Sequence, residues 1–421
     1  MKRAKKILLW TGIGAGTLIV ILLIAAACYV WIIGSRLEKR LAALKAAGEP
    51  ICLADLARKP IPPEQNGATY LQQAQNDLNA VDKIITTIEW DEELNYKPDG
   101  LSKVLETINA YPNVYPLLER AAACPDFDSQ PDFSLPPSKF TGKPLEGIVN
   151  RSSARFLDAR IQGLLLKGRS DEAMQAAILM MKISRQFEKE PLLIKNLIAK
   201  AMEDWALHRV NSILQVGTIN NQSRADLDKE LSLHGSMEIV RHALKTERAF
   251  SLDCFNHEFP WSLFSYHWQL GVLNVYEEYL NYSLQPYSNW ANKDDLKGAI
   301  PNKTFNTFAD LLRPGLRRAL IAPYRIQTYV RTLRIINALQ KKVPSDSDVV
   351  PSMEELGLPA DVGIDPFNGK PLIIKKLPEG WLVYSVGENL QDDGGKFENR
   401  LDVGFGPKIS ATEEKQKKPP Q

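Results

Sequence analysis

The stretch LEGIVNRSSARFLDARIQGLLLKGRSDEAMQAAILMMKISRQF, residues 145–187, decides the fold class. Ile148, Ala154, Leu157, Ile161 and Leu164 to Leu166 recur at helical spacing and make one apolar stripe. Lys167-Gly168 then ends that helix, because glycine enters the left-handed conformation at a helix C-terminus without a steric penalty. Ser170 is placed to cap the next helix, whose Asp171 and Glu172 suit the positive end of its dipole. A helical hairpin follows from this pattern, and a third helix begins with Pro191 in its first turn and runs to about Val216. The chain is therefore expected to be mainly α, with a helical bundle or an array of hairpins at its centre.

Toward the N-terminus, Ile7 to Ile33 contains no charged residue in 27 positions. At about 1.5 Å per residue such a helix exceeds a hydrocarbon layer of ~30 Å, so 7–33 reads as a transmembrane helix. Lys2, Arg3, Lys5 and Lys6 precede it, which makes 1–6 a cytoplasmic tail and places the bulk of the chain outside a cell membrane. The charge asymmetry is modest, since Arg36, Lys39, Arg40 and Lys45 follow together with Glu38. Trp10, Tyr29 and Trp31 lie near the two ends, at the level of the headgroups. Two other readings stay open. A cleaved signal peptide has a shorter apolar region, of about 7 to 15 residues. Ala25-Ala26-Ala27-Cys28 is the pattern of a lipoprotein box with Cys28 as the lipid carrier, although Tyr29 to Ile33 continues apolar. Gly12 and Gly16 have the small-xxx-small spacing through which two such helices form a homodimer.

Residues 34–63 read as stalk and linker: SRLEKRLAALKAA continues the helix outward to about Gly48 and Pro50, and Pro60, Pro62 and Pro63 break it. A helical domain is expected over 64–343, resuming around Asn66. Within it, 101–123 gives two short helices interrupted at Pro112 and Pro116. Residues 125–144 read as a proline-rich surface loop that separates a first helical subregion from the main one. Residues 250–290 hold twelve aromatics, and Phe259 to Tyr276 carries no Asp, Glu, Lys or Arg. Packing between helices is one reading of that segment, and a membrane-interface or ligand-binding face is the other. Helices return over 304–342, with kinks or breaks expected at Pro314 and Pro323. There Ile326, Tyr329, Val330, Leu333 and Ile336 face a core, Arg325, Arg331 and Arg334 face solvent, and Asn337 marks a less buried last turn.

Composition excludes some functions. With 421 residues of which 44% are hydrophobic, the chain can bury a sizeable core. Lys+Arg 52 against Asp+Glu 50 leaves a formal charge of +2, too even for a nucleic-acid-binding face. Beyond the apolar helix, Cys52, Cys124 and Cys254 are an odd set, read either as a Cys52–Cys124 disulfide or as small buried thiols. His257-Glu258 lacks the second histidine of a zinc motif and is followed by Pro260, so all five histidines read as ordinary residues.

After a polar linker at 344–351 the pattern changes to a small antiparallel β module over 351–409, followed by a disordered tail at 410–421. Leu372-Ile373-Ile374 and Trp381 to Val386 read as strands about the turn Pro378-Glu379-Gly380, with Leu401 to Phe405 as a third. Between them runs an acidic, glycine-containing loop, Gly387 to Arg400.

Three resemblances can be read from these residues. LLLKGRSDEA is similar to the turn inside tetratricopeptide-like hairpins, with no second copy near a 34-residue spacing to make an array. DPFNGKPL, YSVGENLQDDGG and LDVGF together resemble the C-terminal region of type II secretion major pseudopilins, whose loop binds calcium. In that likeness Asn389 stands where the family has an Asp, Asp402 matches the later Asp, and Asp392-Asp393 is extra. The likeness covers about 45 of 421 residues, and the chain lacks the prepilin start, a Gly followed by an aromatic-rich segment with an early Glu. GEPICLADLARKPIPPEQNGATYLQQA and EPLLIKNLIAKA resemble uncharacterised single-pass membrane proteins of planctomycete-type bacteria, a likeness that implies no activity.

The loop also has a cation chemistry of its own. Calcium takes several oxygens from a flexible turn, and Asn389, Asp392, Asp393, Glu398 and Asp402 with backbone carbonyls supply them. The spacing is not an EF-hand, since Gly394 at the sixth position puts Arg400 where a bidentate Glu belongs. A solvated acidic turn is the plainer reading. The expected function is a membrane-anchored envelope protein that binds other envelope proteins as a scaffold, with no catalytic chemistry identified. The pseudopilin likeness implies instead an accessory component of a secretion or pilus-like assembly. An envelope hydrolase with carboxylates drawn from separate helices is the third reading.

Overall fold

A computed structural model describes residues 2–89, 91, 95–140, 145–259, 264–292, 307–344, 347 and 349–407. The tail expected to be disordered at 410–421 lies outside the described residues. The chain is mainly helical, with an N-terminal long apolar helix and a small C-terminal antiparallel sheet of three strands.

The first helix, α1, runs unbroken over Lys2–Ala46. Among the described residues it is the one helix long and apolar enough to cross a membrane, and its most apolar stretch, from Trp10 onward, is wholly unburied. Gly48, at φ +71°, turns the chain away from it, as the Gly48-Pro50 pattern predicts. After the proline-rich connection come α2 (Gly67–Ile85), α3 (Pro98–Asn109), α4 (Val114–Ala123) and the one-turn α5 (Pro137–Phe140). Asn66 starts α2 by accepting the Ala68 N–H at 3.0 Å. Pro112 lies in the turn between α3 and α4, whereas Pro116 sits in the first turn of α4, where its missing N–H costs nothing.

The central hairpin is α6 (Leu145–Leu166) and α7 (Ser170–Phe187), with Gly168 at φ +67° in the turn. Ser170 is the first residue of α7 rather than its cap. The backbone closes the turn instead, with Arg169 N–H donating to Leu164 O at 2.9 Å and Gly168 N–H to Leu165 O at 2.9 Å. Then follow α8 (Leu193–Val216), α9 (Asn221–Leu231), α10 (Met237–Glu258), α11 (Ser265–Tyr282) and α12 (Thr307–Lys342). Both Pro314 and Pro323 lie inside α12, which continues through them as one helix. Each proline removes one backbone donor, but burial of Leu316 and Leu320 on one stretch and of Val330 and Leu333 on the next holds the helix together.

Two cores result. The larger one joins α2, α3, α4, α6, α7, α8, α9, the second half of α12 and the sheet. The second is aromatic and lies between α10, α11 and the first half of α12, around Tyr276, Tyr279, Tyr287 and Trp290. Packing between helices therefore accounts for these rings in the 250–290 segment.

Strands β1 (Ile373–Leu377), β2 (Gly380–Ser385) and β3 (Val403–Phe405) pair in that order, with Ile373 opposite Tyr384 and Val383 opposite Phe405. Trp381, Val383 and Phe405 enter the same core as α8 and α12, so the sheet is continuous with the helical body. Gly404 permits the close strand approach, since a Cβ there would lie 2.3 Å from Val383 O.

Several sequence expectations change. The 125–144 segment is anchored rather than a free surface loop: Phe127 and Phe133 are buried, and Asn66 Nδ2 donates to Asp128 O at 2.8 Å. Its residues 141–144 lie outside the described set. Asn337 is buried, exchanging hydrogen bonds with Arg224 at 3.0 and 3.1 Å, and Arg334 pairs with Asp228 at 2.8 Å instead of facing water. Cys52 and Cys124 are free thiols and form no disulfide.

Candidate functional site

The C-terminal loop is built around two buried carboxylates. Asp365, in the turn before β1, accepts from Ser385 Oγ at 2.7 Å, from Phe367 N–H at 2.8 Å and from Val386 N–H at 3.2 Å. Phe367 fills the aromatic core against Tyr287, with ring centroids 5.0 Å apart. The Asp-Pro-Phe turn and the Ser-Val-Gly segment are thus one knot that fixes the end of β2.

Asp402 organises the acidic loop from the other side. Its Oδ2 accepts Gly395 N–H at 2.7 Å and its Oδ1 accepts Asp393 N–H at 3.3 Å. Burial pushes the Asp402 carboxyl up from its ordinary value, and the neighbouring charges of Asp392 and Asp393 add to this against the two backbone donors. Asp392 Oδ1 accepts from Tyr384 Oη and from Gly394 N–H, both at 2.9 Å. Asn389 donates through Nδ2 to Asp393 Oδ2 at 2.7 Å. Four of the five candidate calcium residues are therefore gathered in one loop, hydrogen-bonded to one another and to its backbone. Glu398 stands exposed on the turn Glu398–Arg400. Among the described residues, no group of three or more His, Cys, Asp or Glu is arranged to hold a metal ion.

A second constellation lies inside the helical body and was not legible in the sequence. Lys200 Nζ bonds Glu188 and, at 2.8 Å, Glu203. His234 Nδ1 lies 2.6 Å from Glu203 and its Nε2 3.2 Å from Glu230, which Arg185 also reaches at 2.8 Å. Three carboxylates face three cationic side chains, so the cluster can be neutral when every member is ionised. Burial alone would push the His234 imidazole down, but Glu203 and Glu230 outweigh it and hold it up at about 9. Burial would likewise raise Glu203, yet Lys200 and His234 hold it down at about 2. Glu188 is raised, because its burial outweighs the attraction of Lys200. The arrangement ties the end of α7 to α8 and α9 in a layer where all members but the partly exposed Arg185 are buried, which suits it to fixing helix register rather than to meeting a substrate. His234 is buried between carboxylates of α8 and α9, a structural placement that the sequence did not show.

The third constellation joins α1 to the body, and the expected stalk is not free-standing. Leu37 is buried with Leu252 of α10 and Leu273 of α11. Arg40 bonds Asn274 and, at 2.6 Å, Glu277. Just beyond the helix, Glu49 takes Lys245 at 2.8 Å and the buried Arg248 at 2.6 Å. Burial would raise the Glu49 carboxyl, but these two cations outweigh it and lower it. Lower down, a 2.9 Å hydrogen bond joins Tyr29 Oη and His267 Nδ1, and the Tyr266 ring lies where a Cβ on Gly34 would meet it at 3.1 Å.

Comparison with protein-family models, curated proteins and solved structures found no match to this chain.

Proposed function

We propose that the protein is a single-pass envelope protein, anchored by α1, whose helical body outside the cytoplasm binds other proteins as a scaffold. The anchor half of this reading is supported by one contrast along α1. Its apolar stretch from Trp10 is unburied, whereas its polar continuation is clamped to the body through Leu37, Arg40 and Glu49. Positive charge before the span and the pairing of Arg40 within the body favour a cytoplasmic N-terminus.

The observation that carries the scaffold half is a pair of exposed apolar residues at one end of the hairpins. Leu166 is 71% exposed at the end of α6 and Val216 is 76% exposed at the end of α8. The two helix ends are neighbours, since Asn220 N–H donates to Asp171 at 2.9 Å and Gly217 abuts Ser170. A protein partner would cover both. The test is site-specific photocrosslinking from positions 166 and 216 in intact membranes. Discrete protein adducts are expected, and their absence from both positions would count against a scaffold. Protease protection of the body in sealed inverted vesicles checks the topology.

A further inference from the structure

We propose that the body makes a second, shallow contact with the bilayer through the end formed by the C-terminus of α10, the first turn of α11 and the first turn of α12. This rests on the reading of α1 as a membrane span. Tyr29 of α1 meets His267 of α11, and further along Arg40 meets Asn274 and Glu277, so the two helices run in the same direction. The N-terminus of α11 therefore points back toward the membrane. Tyr29 lies inside the charge-free run that ends at Ile33, seven residues before Arg36. His267 thus sits about 10 Å to the lipid side of Arg36, the first charge after the apolar run. Phe264, three residues earlier in the chain, lies about 4.5 Å deeper again.

What occupies that level is apolar and exposed. Phe264 is 55% exposed, Tyr266 44%, Phe259 41% and Phe308 37%, although all are large apolar or aromatic side chains. They are braced from behind: Trp268 lies 4.9 Å from Phe308, 6.0 Å from Phe259 and 6.2 Å from Phe264, centroid to centroid. In water such a surface is unfavourable, and a braced set of rings at the depth of a span's aromatic belt fits the headgroup and upper acyl region. The absence of Asp, Glu, Lys and Arg from Phe259 to Tyr276 removes the charges that would oppose insertion. Glu258, exposed at the end of α10, stands at the rim, where a carboxylate can stay hydrated. The occupant is thus the lipid of the leaflet from which α1 emerges.

The experiment uses the full chain in phosphatidylethanolamine and phosphatidylglycerol vesicles, with a photoreactive benzoylphenylalanine at position 20, 166, 264 or 308. Lipid adducts are expected at 264 and 308 with yields near that of position 20, and at least tenfold above position 166. If position 20 labels lipid but 264 and 308 do not exceed 166, or label a second copy of the chain, the second contact is overturned and the anchor stands. If position 20 itself fails to label lipid, the anchor reading falls and the second contact with it.

Discussion

His234 Nδ1 lies 2.6 Å from Glu203 Oε1 and neither side chain is reached by solvent. Because Lys200 and Arg185 supply the other positive charges, the helical body depends on His234 keeping its proton. The folded-state value of about 9 exceeds the ordinary 6.5, so this group's contribution is complete below about pH 6.5 and disappears as pH rises through 9. The full difference is roughly 3 kcal/mol. Denaturant unfolding of the full chain at pH 6 and pH 9.5 is expected to show that loss, with a much smaller loss in His234→Gln. Equal losses in both proteins would show that some other group titrates.

The same cluster sets the cost of breaking it. His234→Ala leaves Glu203 and Glu230 short of a buried partner and should destabilise the body by roughly 3–5 kcal/mol. At low pH the sign reverses for the acid partner. Glu203, held at about 2, contributes above pH 4.5 and loses that contribution as pH falls toward 2. Thermal unfolding between pH 2 and pH 5 checks this, with Glu203→Gln expected to flatten the slope.

Arg248→Ala is expected to loosen α1 from the body, since it leaves Glu49 with Lys245 alone. The cost is roughly 1–3 kcal/mol. Hydrogen exchange over residues 37–48 of the full chain is the measurement, and protection there should fall while that of α7 and α8 holds.

Gly404→Ala should destabilise the sheet by roughly 1–3 kcal/mol, because the new methyl would meet Val383 O and Tyr384 at 2.3 and 2.6 Å. Gly168→Ala, with open space around it and φ +67°, should cost only the left-handed backbone penalty of roughly 1–2 kcal/mol. Chemical denaturation of both variants separates crowding from backbone strain.

Calcium at the acidic loop has a direct measurement. Since Asp392, Asp393 and Asp402 crowd one another, an ion that engages them relieves that repulsion. A calcium titration of the full chain tests the sequence expectation: a rise in melting temperature that Asp392→Asn with Asp393→Asn abolishes would support an ion there, against the absence of a metal-holding group among the described residues. No rise in the unaltered chain removes the ion.

Much of the architecture was legible because its signals are local. The α1 run, the helix start around Asn66, the glycine turn at 168 and the strands about Gly380 each depend on neighbours a few residues away. The helix through Pro314 and Pro323 was not legible, since two cores distant in sequence override the local penalty of each proline. For the same reason the partners of Asn337, Arg334 and His234 were hidden, each lying on another helix. The four loop residues brought together, Asn389, Asp392, Asp393 and Asp402, were readable as a cluster because they fall within one short segment. At the end where α11 begins, the missing charge from Phe259 to Tyr276 was visible in the sequence. Its placement beside α1 was not, because that is set by Tyr29 and His267, 238 residues apart.

The Phe405 ring lies tilted against Tyr329 of α12, with centroids 4.6 Å apart, and packs edge-on with His208 of α8 at 5.0 Å. Phe405, near the end of the described residues, thus joins β3 to both α8 and α12. The contacts of Phe405 can form only after about 360 residues beyond α1 have been made, and closing such distant contacts is a slow step of folding. Any product terminated before Phe405 would keep α1 and leave this contact between sheet and helices unmade.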